Sequence, residues 1–200
     1  MPTFGGIIQK EVLFRSGYVR IITGIAKGKK LEVLSGNEVR PTSDRVKEAV
    51  FSAIQFQLEG KKFLDLFSGS GQMGVEALSR RAHEAFFIDA RRESIEIIKR
   101  NLKHADLELN AKVINTDAES YLNSTNEIFD IAFLDPPYYS GEIQKVMPLL
   151  VNLMSKDGII ICENPSDEEL PAEFGSFILC KTRIYGKIKI NIYRRKDVEE

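Results

Sequence analysis

From Lys61 onward the chain alternates short apolar runs with amphipathic stretches, and no other feature narrows the fold as far. The runs FLDLF (63–67), AFFID (85–89), AKVIN (111–115), FDIAFLD (129–135) and GIIICE (158–163) are separated by helical periodicity at 72–81, 92–105, 117–123 and 142–154. A strand that is apolar throughout needs cover on both faces, and strands joined through helices run parallel. The pattern predicts a doubly wound α/β sheet with its ligand at the carboxyl ends of the strands. The last two runs, FILCKTRIY and IKINIYRR, meet at Gly186 and Lys187, a tight turn that predicts an antiparallel hairpin at the end of the sheet.

Ahead of this pattern, VRIIT (19–23) and LEVL (31–34) flank the basic turn Gly24 to Lys30 and predict a small β-hairpin. Residues 43–58 place Val46, Ala49, Val50, Ala53 and Ile54 at helical spacing, with Ser43 or Asp44 as N-cap. The expected division is an extension without an assigned role over 1–17, a basic β-hairpin over 18–40 and one main domain over 41–200. A chain of 200 residues can bury a proper core but has no room for a second large domain. It has no apolar run near the ~20 residues of a membrane span, and residues 1–17 lack the apolar stretch of a secretory signal, so a cytoplasmic location is expected. Cys162 and Cys180 lie in apolar runs and are expected to be buried thiols, whereas His83 and His104 belong on the surface; no metal is expected.

The net charge of −1 conceals segregation. Residues 10–47 carry nine Lys/Arg against four Asp/Glu and residues 181–196 seven against none, while residues 48–180 hold twelve against twenty-two. Basic ends folded onto one face would suit a phosphate-rich partner; solvated surface strands would give the same count.

Two segments carry chemistry. In Asp65-Leu-Phe-Ser-Gly-Ser-Gly71, between an apolar strand and a helix, glycines permit a sharp turn and close approach of a ligand. Gly69, Gly71 and Gly74 fit GxGxxG, which a nicotinamide-dependent dehydrogenase would also carry. Asp89 ends the next strand and Asp117 follows the third, so three acids could hold the methionine end, ribose and adenine of one nucleoside; as single residues, Asp89 and Asp117 could instead be helix caps. The cofactor candidates are Asp65, Phe67, Ser68, Gly69, Ser70, Gly71, Asp89, Ala90, Asp117 and Ala118. The second segment, Asp135-Pro136-Pro137-Tyr138, follows the fourth strand. Its prolines fix the backbone and leave only acceptors, so a carboxylate and a carbonyl can take both hydrogens of a planar amine and expose its lone pair. Tyr138 offers a face for stacking a base.

Together with Arg20-Ile-Ile-Thr-Gly24, Ala26-Lys-Gly28, Leu31, the segment Arg40-Pro-Thr-Ser-Asp-Arg-Val-Lys-Glu48 and the terminal RIYGKIKINIYRR, these motifs resemble the RsmD family of small-subunit ribosomal RNA guanine-N2 methyltransferases, from Val19 to Lys196. The resemblance implies a seven-stranded Rossmann-like class I methyltransferase sheet, S-adenosylmethionine as cofactor, and a flipped guanine received by Asp135 to Tyr138. It places Asp65, Gly69 and Gly71 at the methionine portion, Asp89 at the ribose and Asp117 at the adenine. It further implies that Arg40, Thr42 and Arg45 border the site and that the N-terminal hairpin grips RNA. Arg20, Lys27, Lys29, Lys30, Arg183, Tyr185, Lys187 and Lys189 complete the expected RNA contacts, with a monomer acting on ribosomal RNA in an assembling or assembled small subunit. Methylation of adenine N6 or of a protein glutamine is the alternative, although those enzymes more often carry Asn where this chain has Asp135. An RNA-binding module without catalysis would not need the intact DPPY and three acids.

Overall fold

The computed structural model describes residues 18–34 and 44–196; the expectations for 1–17, Arg40, Thr42 and Ser43 lie outside the described residues. Strands β1 (Tyr18–Arg20) and β2 (Lys30–Glu32) form the N-terminal hairpin. The order continues with α1 (Asp44–Ala53), β3 (Lys62–Leu66), α2 (Gln72–Ser79), β4 (Glu84–Asp89), α3 (Arg92–Ala105), β5 (Ala111–Asn115) and α4 (Ala118–Ser124). It ends with β6 (Phe129–Leu134), α5 (Glu142–Leu150), β7 (Met154–Pro165), β8 (Glu173–Phe174), β9 (Phe177–Tyr185) and β10 (Ile188–Arg195).

The main sheet runs β5-β4-β3-β6-β7-β10-β9-β8. Its first five strands are parallel, and β10 inserts antiparallel between β7 and β9. Seven of the strands are those expected; the eighth is the two-residue edge β8. Alternate residues feed two cores. Phe63, Phe87, Ile131 and Ile161 face α1, α2 and α3, while Leu64, Phe86, Ala132 and Ile160 face α4 and α5.

Several boundaries differ from the sequence expectation. The helix expected over 43–58 ends at Ala53 and gives way to a turn, although Ile54 and Leu58 are both buried. Spacing of four residues satisfies a helix and a chain turning under the sheet alike, so periodicity could not mark that end. The first strand stops at Arg20 because the N–H groups of Ile22 and Thr23 donate to the Glu76 carboxylate, at 2.8 and 3.0 Å, instead of continuing the ladder. Helix α5 ends at Leu150 rather than 154, and β7 begins at Met154 with a polar Ser-Lys-Asp stretch that hides its first turn of ladder from an apolar pattern. Cys162 is buried as expected; Cys180 is exposed, at the point where the β9–β10 register shifts and leaves it unpaired on β10.

A buried electrostatic joint fixes the N-terminal hairpin. Glu76 is fully buried, receives the two backbone donors above, and accepts from Arg80 Nε at 2.8 Å. Lys47, equally buried, donates to the Arg20 carbonyl at 2.7 Å; burial lowers its pKa, and the charge of Glu76 opposes that. Gly24, at φ +90°, touches the end of α2 so closely that a Cβ there would lie 1.9 Å from the Ser79 carbonyl oxygen.

Candidate active site

Sheet register brings the two motif turns together. Leu66 pairs with Leu134 across β3 and β6, so the residues that follow, Phe67 and Asp135, leave adjacent strand ends. On one side Leu66 pairs with Ile88, one residue before Asp89, and Asp89 pairs with Asn115. On the other, Leu134 pairs with Cys162, one residue before Glu163. Asn115, Asp89, Phe67, Asp135 and Glu163 thus occupy one row across five strands spaced ~4.8 Å apart. This is the carboxyl edge, where an open α/β sheet binds its ligand.

The glycine turn is held from below. Asp65 is 2% exposed and accepts the Gly74 N–H at 2.9 Å. Burial pushes its carboxyl up to about 8, with the Gly74 donor opposing and the charge of Asp89 assisting. Ser68 donates its hydroxyl to the carbonyls of Asp65 and Ile88, and Asn101 donates to the Ser70 carbonyl at 2.9 Å. Phe67 adopts φ +69°, a left-handed conformation that costs a residue with a side chain about 1–2 kcal/mol. Its neighbours impose that cost, and the strain sits where the chain turns into the crevice. Gly74 has no room for a side chain, since a Cβ would meet the Phe87 ring at 2.3 Å. Gly69, at φ +55°, is the opposite case, with nothing within 4 Å of a Cβ built on it.

Asp89 closes the next strand. Its carboxylate accepts the N–H of Gly69 at 2.8 Å and of Arg91 at 2.9 Å, and Asn115 donates to the Asp89 and Ala90 carbonyls. Asp117 is exposed and caps α4 by accepting the Ser120 N–H at 2.8 Å, a bond that holds its pKa down. A cap therefore accounts for Asp117 in this structure. The Ala118 side chain lies in the core, so only its backbone could face a ligand.

The Asp135–Tyr138 turn follows β6, with Asp135 half-buried, Pro136 buried and Pro137 and Tyr138 exposed. Sequence reasoning missed its partner. Glu163, 2% exposed at the end of β7, accepts the Tyr138 hydroxyl at 3.2 Å and so orients the ring. The signal was present, since GIIICE ends in an acid just as the β3, β4 and β6 runs contain or end in one.

The basic residues divide between two edges. Arg45, at the start of α1, lies 5.8 Å from the Tyr185 ring, and Tyr185 precedes the Gly186–Lys187 turn beside the end of β7. Arg45, Tyr185 and Lys187 therefore reach the catalytic edge. Lys30 lies on β2 opposite Arg20, whereas the turn carrying Lys27 and Lys29 does not reach the catalytic edge, for it docks where α2 and α3 end, at the amino edge of the strands. There Lys29 is bound to Asp106 and to the His104 carbonyl. Arg20 pairs with Asp44 at 3.1 Å. Lys189 is 4% exposed, with its ammonium given to the Glu168 carbonyl and the Glu169 carboxylate, because its strand position faces inward. No group of three His, Cys, Asp or Glu among the described residues is placed to hold a metal, and no described helix is long and apolar enough to cross a membrane.

A family profile described as "Conserved hypothetical protein 95" matches residues 19–194. The chain is 33% identical over 184 residues to "Ribosomal RNA small subunit methyltransferase D" of Escherichia coli (strain K12), spanning 90% of this chain and 92% of that protein. The chain belongs to the RsmD family. Among family relatives, "Putative rRNA methyltransferase YlbH" of Bacillus subtilis (strain 168) is 35% identical over 183 residues, covering 89% of this chain and all of the relative. The solved structure "Putative methyltransferase yhhF from Escherichia coli" superposes with a TM-score of 0.78 at 32% identity, over 90% of this chain and 98% of that one. Family membership decides against the dehydrogenase reading of the glycine motif.

Proposed function

We propose that this chain transfers a methyl group from S-adenosylmethionine to the exocyclic N2 amine of a guanine in small-subunit ribosomal RNA. The observation that carries the reading is the pairing of Leu66 with Leu134, which sets the glycine turn and the Asp135–Pro137 corner on neighbouring strands. The residues fit the cofactor. Open space beside Gly69 provides a cradle, the Asp89 carboxylate lies at its rim, and the buried Asp65 is a group that a nearby cation would stabilise in its charged form. When bound, the cofactor supplies an electrophilic methyl on a sulfonium.

The chain's own residues then have definite tasks. Asp135 and a carbonyl of the proline corner accept the two amine hydrogens, which favours a pyramidal nitrogen with its lone pair turned toward the glycine turn. Tyr138, held by Glu163, stacks the base, a contact worth about 1–3 kcal/mol on other stacking platforms. No strong base is needed, because the methylated amine loses its surplus proton to solvent only after the transfer, and alignment with fixed electrostatics supplies most of the rate. A base inside a helix cannot reach this corner, so the target guanine is unstacked at a cost of a few kcal/mol. We place the protein in the cytoplasm, as a monomer acting on the assembling or assembled small subunit.

Mass spectrometry of ribosomal RNA from cells with and without the gene tests the assignment: one N2-methylguanosine should disappear, and an unchanged guanosine profile overturns it. Asp135→Ala should lower kcat at least a hundredfold while cofactor affinity stays within a fewfold of wild type. Retained kcat would remove Asp135 from the chemistry.

A further inference from the structure

Beyond the catalytic corner, a groove of about 260 Å³ opens between α1 and the antiparallel strands β9 and β10. Its floor is apolar, formed by Ala49 and Ala53 of α1 with Ile190 and Ile192 of β10. The short side chains on this side of α1 keep it from closing onto the strands, while Val46, Val50 and Phe51 point into the core. The rim is different in kind. Lys181, Arg183 and Tyr185 stand on alternate positions of β9, on one face, and no acidic residue lines the groove. Lys181 and Arg183 are exposed, and among the described residues neither has an ion-pair partner. Some surface cations elsewhere, among them Lys29, Lys145 and Lys196, are held by carboxylates.

We propose that this groove is a second RNA subsite, which takes a nucleotide flanking the target guanine: its base on the apolar floor, its phosphates on Lys181 and Arg183. The inference rests on the RNA methyltransferase reading above. Two observations commit it to RNA. The charge of the rim is complementary to phosphate, and the groove is continuous with the catalytic edge through Tyr185, which both lines it and receives the Arg45 guanidinium at 5.8 Å. Tyr185 pairs with Ile188, and Ile188 with Pro165, two residues past Glu163. A strand leaving the flipped guanine beside Tyr138 would pass Tyr185 first, then Arg183, then Lys181. At 260 Å³ the cavity is smaller than the roughly 300–1,000 Å³ of ordinary ligand clefts, a size suited to one base rather than a larger molecule. An aliphatic floor packs against a base without reading its edges, Tyr185 on the rim offers a stacking face and the cations hold phosphate, a combination that grips single-stranded RNA without strong sequence preference.

Two substitutions outside the catalytic corner test this in the full chain. Ser52→Trp, on the exposed lip of α1, fills the groove; Lys181→Ala removes one rim charge. With RNA that contains the target and its flanks, Ser52→Trp should raise KM at least fivefold, with kcat and cofactor affinity unchanged. With RNA trimmed to the target nucleotide and its immediate neighbours, wild type and Ser52→Trp should become equivalent. Lys181→Ala should reduce the slope of log affinity against log salt by about 0.7 to 1. If wild type methylates RNA but both variants keep its KM and salt slope, the groove proposal alone is overturned. If wild type neither binds nor methylates RNA, the underlying functional reading falls with it. A concentration-dependent dimer in sedimentation that Ser52→Trp abolishes would assign the groove to a second copy and also overturn the proposal.

Discussion

Asp65→Asn separates what the buried acid does for the fold from what it does for a ligand. Burial raises the Asp65 carboxyl from 3.8 to about 8. Holding it ionised in the folded chain therefore costs on the order of 6 kcal/mol, at about 1.4 kcal/mol per pH unit. The unfolded chain ionises this group near pH 4 and the folded chain near pH 8, so between those values the folded state holds the extra proton and stability falls as pH rises. The contribution is fully present below about pH 4 and is gone above about pH 8. An asparagine keeps an acceptor for the Gly74 N–H and removes the titration. Urea unfolding of the ligand-free protein should show wild type losing about 3–4 kcal/mol relative to Asp65→Asn between pH 5 and pH 8. Parallel pH profiles of the two proteins would refute the burial argument. The same reasoning extends to the cofactor. A cation bound beside Asp65 favours its ionised form, so binding to wild type at pH 7 should release a proton and binding to Asp65→Asn should not. Calorimetry in two buffers of different ionisation enthalpy reads that difference, and equal proton release by both would sink the link.

Gly74→Ala should destabilise by about 1–3 kcal/mol, because the new methyl meets the buried Phe87 ring; calorimetric melting at an unchanged Tm would contradict this. Asp89→Ala leaves the Gly69 and Arg91 donors without their carboxylate and should weaken S-adenosylmethionine binding by about 10- to 100-fold, with undiminished affinity by calorimetry as the contrary result. A thiol reagent should modify one cysteine in the native protein and two after unfolding: Cys180 is exposed, whereas burial pushes the Cys162 thiol far up. Two rapidly reacting thiols in the native state would show that β7 is not the closed core strand described.

The sequence by itself determined the doubly wound order, the antiparallel finish at Gly186–Lys187 and the two motif turns, because those depend on local apolar runs and on glycine and proline chemistry that acts within a few residues. It also placed Asp65 inside the first strand of the parallel run and Asp89 and Asp135 at the ends of two others, a matter of counting along one segment. Only the tertiary structure decided that Lys27 and Lys29 lie at the edge opposite the catalytic corner, that Lys189 turns inward to Glu169, and that Glu163 joins the site. Charge counting registers how many cations a segment carries. Which face they occupy is fixed by docking contacts 53 to 56 residues apart in sequence, such as Glu76 with Thr23 and Ser79 with Ala26, and by strand register between β6 and β7. Neither interaction has a period or a composition that a single stretch of sequence could display.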